Sequence, residues 1–223
     1  MNARLAAVAL AAIAVAGLWL AARLAAARDP GDLAWRAAQA GGAYTITGTT
    51  RVEAGLDRAA FVVSGSGEAT GVLTVTVAGP SGAPATRYHI AWPEVTDAAG
   101  RAVEARTLAR QLPAGDPLGL LAAAQGATAG PLEAIGGRDC RRVDFRVAGR
   151  AYAAWWADHP GVLPVNADAG GLQTFTGRGT LWQDPASGRP CRVAVRLELP
   201  RLAGEHPGAG EADWTYGGWP DAP

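Results

Sequence analysis

Leu181-Trp182-Gln183-Asp184-Pro185-Ala186-Ser187-Gly188-Arg189-Pro190, continued by Cys191-Arg192-Val193-Ala194-Val195-Arg196-Leu197-Glu198-Leu199, reads as two strands around a turn. Asp184-Pro185-Ala186-Ser187-Gly188 joins them, a cluster of Gly, Pro and Ser of the kind that supplies turns. Beyond it, Val193, Val195, Leu197 and Leu199 alternate with Arg192, Ala194, Arg196 and Glu198. That period of two marks a strand with one buried face. A second strand of the same kind begins near Arg138, where Val143, Phe145 and Val147 alternate with Arg142, Asp144 and Arg146.

Cys140 and Cys191 open these two strands and are the only cysteines. An even count in an oxidising compartment favours a disulfide over a metal site or a nucleophile. Cys191 shares parity with its apolar face, whereas Cys140 shares parity with Arg142. A regular ladder cannot join them, and a β-bulge at Arg141-Arg142, returning Cys140 to the face of Val143, is the simplest repair. Closing so long a loop stabilises the fold by about 4 kcal/mol on the chain-entropy argument.

The oxidising compartment is written at the other end of the chain. Leu5 to Ala22 is an unbroken apolar run behind Met1-Asn2-Ala3-Arg4. It exceeds the roughly 7–15 residues of a usual signal-peptide core and approaches the ~20 that span a bilayer. Residues 1–27 therefore read as a signal peptide cleaved after Ala25-Ala26-Ala27, or as a retained anchor with Trp19-Leu20 at its outer end. In both cases residues 28–223 form a single domain of the cell envelope, membrane-anchored or secreted. No cysteine near the boundary offers a lipid anchor. All 20 basic residues are Arg, balanced by 20 acidic ones, so the neutral chain has no footprint for nucleic acid.

Between these landmarks the pattern is strand-rich. Asp32 is a fair N-cap for a helix over Leu33 to Ala40, stopped by Gly41-Gly42. Strands are expected at Tyr44 to Glu53, Ala59 to Ser64, Gly71 to Ala78 and Thr86 to Trp92, separated by Gly, Pro and Ser clusters. Val103 to Leu112 fits helix or strand. Asp116, Pro117, the stripe Leu118, Leu121, Ala122 and Gln125, and a stop at Gly126 predict a second helix. Strands are expected again at Arg138, Ala151 to Trp156, Leu172 to Gly177 and Thr180 to Gln183. Gly65-Ser66-Gly67, Gly177-Arg178-Gly179 and Asp158-His159-Pro160-Gly161 read as turns.

This order of elements, with Asp116-Pro117-Leu118-Gly119-Leu120-Leu121, the hairpin Leu181 to Pro190 and the closing Tyr216-Gly217-Gly218-Trp219-Pro220-Asp221-Ala222-Pro223, resembles the LolA-like and LppX-like lipoprotein-carrier superfamily. The resemblance covers roughly Asp32 to Pro223. It implies an α+β fold: a strongly curved antiparallel sheet, an open half-barrel, with short helices on its concave side enclosing an apolar space for acyl chains. The lipobox cysteine of many relatives is missing, and no ligand-contacting residue matches one to one.

Catalysis finds little support in the residues. His89, His159 and His206 have no metal spacing, and no Gly-x-Ser-x-Gly or free Cys supplies a nucleophile. No catalytic, metal or cofactor site is assigned. The candidate ligand-binding residues are Leu118, Leu121, Phe145, Trp155, Trp182, Val193 and Val195, apolar groups on elements expected to line the curved sheet. The function expected is a non-catalytic domain that shelters a lipid or acyl chain. The alternative is a membrane-tethered sensor or structural module whose sheet edge meets an envelope protein partner.

Overall fold

The structure is a computed structural model that describes residues 34–38, 42–80, 83–202 and 206–220. A helix over 34–38 (α1) precedes β1 (Tyr44–Ala54), β2 (Asp57–Gly67), β3 (Leu73–Ala78), β4 (Thr86–Ala91) and β5 (Glu94–Asp97). Two short helices, α2 (Ala105–Gln111) and α3 (Pro117–Leu121), lead into β6 (Ala124–Ile135) and β7 (Arg138–Ala148). Then come α4 (Gly149–Ala157), 3-10 turns at Val165–Ala167 and Ala169–Gly171, and β8 (Thr176–Gln183), β9 (Pro190–Leu202) and β10 (His206–Gly217). The expected segment 1–27 and the cap Asp32 lie outside the described residues. No helix among the described residues is long and apolar enough to cross a membrane.

All ten strands form one antiparallel sheet in the order β5-β4-β3-β2-β1-β10-β9-β8-β7-β6. β5 and β6 are its two edges yet are consecutive in the chain, so the sheet stays an open half-barrel. The segment between them, which carries α2 and α3, must cross from one edge to the other, and this places helices over the concave face. Alternation decides what that face contains. One row of paired residues runs Val63, Gly48, Trp214, Val193, Leu181, Val143 across six strands, and the five side-chain-bearing members are all buried.

Glycines let large side chains lie on this sheet. A Cβ at Gly67 would sit 2.4 Å from the Tyr44 ring, and one at Gly179 would sit 2.6 Å from the Phe145 ring. Gly65-Ser66-Gly67 and Gly177-Arg178-Gly179 are therefore strand interiors in β2 and β8 rather than turns: each Gly makes room for a neighbour, which is a second use of glycine in sheets.

Four other expectations are corrected. The helix expected to reach Gln125 ends at Leu121, and residues 124–135 form β6, an edge strand kinked by register shifts between Gln125 and Thr128 and between Ala129 and Leu132. Gly126, at φ +60°, belongs to that irregularity rather than to a helix stop. Ala151 to Trp156 is helix α4, not strand, because Tyr152, Trp155 and Trp156 sit at helical spacing. The strand expected from Leu172 starts only at Thr176, after a 3-10 turn. The ambiguous Val103 to Leu112 segment contains α2, whose end is tied to β1 where Thr50 Oγ1 donates to Gln111 O at 2.6 Å. The Asp158-His159-Pro160-Gly161 turn is present, with Val162 N donating to His159 O at 3.1 Å.

Cys140 and Cys191 form the disulfide, with Cα atoms 6.6 Å apart. The bulge that aligns them lies in the opposite strand from the one expected. β7 pairs regularly with β8 through Arg141–Gln183 and Arg142–Trp182. In β9, Arg192 pairs with Trp182 but Pro190 pairs with Gln183, leaving Cys191 as the extra residue. Cys140 thus keeps the parity of Arg142, and Cys191 is turned over to meet it on the convex side.

Candidate ligand site

The concave interior is where the candidate residues converge, and its geometry starts from Asp116. This residue caps α3, accepting from Leu118 N at 3.0 Å, while its own N–H donates to Leu163 O at 3.1 Å. The helix it starts is only five residues long, too short to persist alone, and all five residues are buried. Tertiary enclosure holds it: the Trp155 ring lies against Gly119, where a Cβ would be 3.0 Å from the indole. Trp155 in turn packs edge-on against Trp35 at 5.0 Å and tilts against Tyr152 at 5.5 Å.

Leu118, Leu121, Phe145, Val193 and Val195 share this interior and are buried. Trp155 packs against it from α4, half-buried. Trp182 does not belong with them. Register puts it opposite Arg142 and Arg192 on the convex face, where it packs on Cys140 and Cys191, donates from Nε1 to Glu133 Oε2 at 2.7 Å and lies 4.7 Å below the Arg192 guanidinium. Its expected place in the wall of the apolar space is corrected accordingly.

Some polar groups of this interior are not satisfied. The Trp214 Nε1 and Tyr216 Oη atoms are buried with no hydrogen-bond partner among the described residues. Tyr152 Oη is buried too, with only the Val165 backbone beside it and no hydrogen bond of normal geometry. Burial, and then the charge of Asp116, push the Tyr44, Tyr152 and Tyr216 hydroxyls above the ordinary phenol range. Burial also pushes the Asp116 carboxyl up to about 6, against the lowering effect of the Leu118 N–H. A carboxyl and several phenols thus sit in one electrostatic neighbourhood inside an apolar core. Sequence reading took Asp116 only as a cap and missed the tyrosines; the Tyr152, Trp155, Trp156 spacing was the available signal.

The raised carboxyl gives a pH dependence. An unfolded Asp titrates near 4, so between about pH 4 and 6 the folded state holds the proton more tightly. The Asp116 contribution to stability is therefore largest below about pH 4, falls as pH rises to about 6, and is level above. Asp116→Asn keeps a capping oxygen and removes the titration. Relative to the parent, it is expected to gain about 2 kcal/mol between pH 4 and pH 7.5. Denaturant unfolding at the two pH values measures this, and parallel pH curves for the two proteins would contradict a buried titrating carboxyl.

The histidines are spread apart. His159 stacks on Trp155 at 4.7 Å with Nδ1 3.0 Å from Trp155 O, His89 lies 3.3 Å from Thr74 Oγ1, and His206 is exposed at the start of β10. No group of three or more metal-donor residues occurs among the described residues.

No protein-family model matches the sequence, and no curated protein matches it. Solved structures do. The Mycobacterium tuberculosis lipoprotein LppX is 11% identical, with 87% of this chain and 98% of LppX covered at a TM-score of 0.37. LprF from Mycobacterium bovis is 16% identical over 86% of this chain and 94% of LprF, with a TM-score of 0.39. A LolA-superfamily protein from Nitrosomonas europaea is 11% identical over 84% and 92% of the two chains, with a TM-score of 0.31. At these values the likeness carries no argument about ligand or mechanism, which must come from the chain itself.

Proposed function

We propose that this chain is a non-catalytic domain of the cell envelope that shelters a lipid or acyl chain within the concave face of its half-barrel. The observation that carries the reading is the set of poorly satisfied polar atoms in an apolar interior: Trp214 Nε1 and Tyr216 Oη, which have no partner among the described residues, and Tyr152 Oη, which has only a poor contact with the Val165 backbone. An unsatisfied buried donor costs about 1–3 kcal/mol, so a folded domain rarely keeps several without a use. An amphiphile supplies what is missing: ester or hydroxyl oxygens for the donors, and methylenes worth about 0.8 kcal/mol each when removed from water. The cover that must yield to admit it is made of helices five to nine residues long. The disulfide supports an oxidising compartment.

The partner-binding alternative has less behind it. β5 is four residues long, and β6 carries Pro131 and two register shifts, features that blunt an edge against an added strand.

Delipidated protein provides the test. Oleic acid or a diacylglycerol titrated against tryptophan emission is expected to give a saturable shift, since Trp214 lies in the cluster. The double variant Tyr152→Phe with Tyr216→Phe is expected to bind at least about tenfold more weakly, a loss of about 1.4 kcal/mol. It should be no less stable without ligand, because two unsatisfied hydroxyls are gone. A flat titration, or equal affinity of the two proteins, overturns the reading.

A further inference from the structure

The convex face, opposite the interior just described, carries a row of charges. Register aligns Arg146 of β7, Arg178 of β8 and Arg196 of β9 as direct cross-strand neighbours, and the row continues through Glu211 of β10 to Arg51 of β1. Arg196 is served by Glu211, by Glu53 at 3.3 Å and by Glu198 at 3.3 Å, and Arg51 reaches Glu211 at 3.4 Å. Arg146 and Arg178 are exposed and have no ion-pair or hydrogen-bond partner among the described residues. Like charges directly opposite each other in a sheet are destabilising.

These two arginines stand over a groove of about 730 Å³. Gly179, Ala194 and Ala212 leave its walls low, and the Thr128 and Thr180 side chains border it. The acids on its rim are already engaged: Asp144 accepts from Thr180 Oγ1 at 2.7 Å and from Arg142 at 3.1 Å, and Asp213 holds Arg192 through two bonds of 2.7 and 2.6 Å. The charge left over in the groove is therefore positive, and it is concentrated on two guanidinium forks about 5 Å apart at their Cβ atoms.

We infer that this groove binds a phosphate ester, with Arg146 and Arg178 as its two ligands. A carboxylate satisfies one fork with its two oxygens, whereas the peripheral oxygens of a phosphate can accept from both forks at once. Neutralising the pair also removes the repulsion across β7 and β8. The two arginines project from the face opposite the proposed interior ligand, and Phe145 and Val195, which belong to that interior, also border the groove. The phosphate could belong to a phospholipid headgroup or to a soluble ester; the chemistry at the arginines is the same.

The experiment uses the full chain in neutral detergent, with calorimetric titration of inorganic phosphate, glycerol 3-phosphate and dihexanoyl phosphatidylglycerol at constant ionic strength. Saturable binding of phosphate species, absent for chloride, is expected. Arg146→Gln with Arg178→Gln should weaken it at least tenfold while melting no lower than the parent, and Arg178→Lys, which keeps charge but loses the fork, should weaken it several-fold. Arg87→Gln, exposed on β4, should change nothing. Affinity for the short-chain lipid at least tenfold above that for glycerol 3-phosphate identifies a headgroup, and equal affinity identifies a soluble ester. Absence of saturable binding by all three probes, or unchanged binding in the double glutamine variant, overturns the assignment.

Discussion

Leu121→Ala is expected to destabilise the folded domain by about 2–5 kcal/mol, the range for a fully buried leucine whose cavity cannot collapse. Leu121 has no solvent exposure and ends a helix in which Pro117, Leu118, Gly119 and Leu120 are buried as well. Helices usually keep one polar stripe, and α3 has none because sheet and α4 enclose it from different sides. With only five residues, it draws its stability from packing rather than from its own hydrogen bonds. Removing the last leucine therefore leaves a void that a single helical turn cannot close without losing other contacts. Urea unfolding of the variant measures the cost. A loss below about 0.5 kcal/mol would mean that Leu121 borders space rather than core.

Replacing both Cys140 and Cys191 by Ala is expected to cost about 4 kcal/mol. The bond closes a separation of 51 residues, and removing so long a cross-link restores entropy to the unfolded chain. There is a local component too. The disulfide, Trp182 and the partly buried Ile135 and Ala194 form a small apolar cluster separate from the main core, on an otherwise charged face. Without the sulfurs Trp182 loses its floor, while its bond to Glu133 and its contact with Arg192 keep it in place. Unfolding of the oxidised parent and the double variant in the same denaturant series reads the difference. A cost under about 1 kcal/mol would show that the loop from β7 to β9 is already restricted in the unfolded chain.

The strands of the sheet were largely legible, and the reason is physical. Where one face is buried and the other solvated, alternation is strict, as in Val193 to Leu199 and Leu73 to Val77, and the period of two is visible without any structure. β6 was invisible because it is an edge: Gly126, Gly130 and Pro131 interrupt it, two bulges break its parity, and most of its side chains are exposed or half-exposed. α4 was taken for a strand because Ala, Trp and Tyr suit either state, and only the spacing of Tyr152 to Trp155 and Trp156 separates them.

The site was legible in part. Leu118, Leu121, Phe145, Val193 and Val195 were found because apolar parity marks an interior, whatever that interior is for. Trp182 was misplaced because it follows Leu181 directly in β8: with Leu181 paired to Val193 on the buried face, simple alternation turns Trp182 to the face of Arg142 and Arg192, and aromatic character alone does not reveal that. Helical spacing could have marked Tyr152 as inward-facing, but nothing in a tyrosine's local sequence says that its hydroxyl will lack a partner. The convex arginine row needed the register of three strands that are not all adjacent in sequence.

Native mass spectrometry of the protein purified from its own membranes tests the central claim most directly. The account predicts a population carrying one copy of an amphiphile with an acyl chain. That population should collapse to the bare mass in Tyr152→Phe with Tyr216→Phe, while the fold is retained. A wild-type protein that emerges only at its bare mass, from membranes in which known lipid-binding controls retain their ligands, would contradict it.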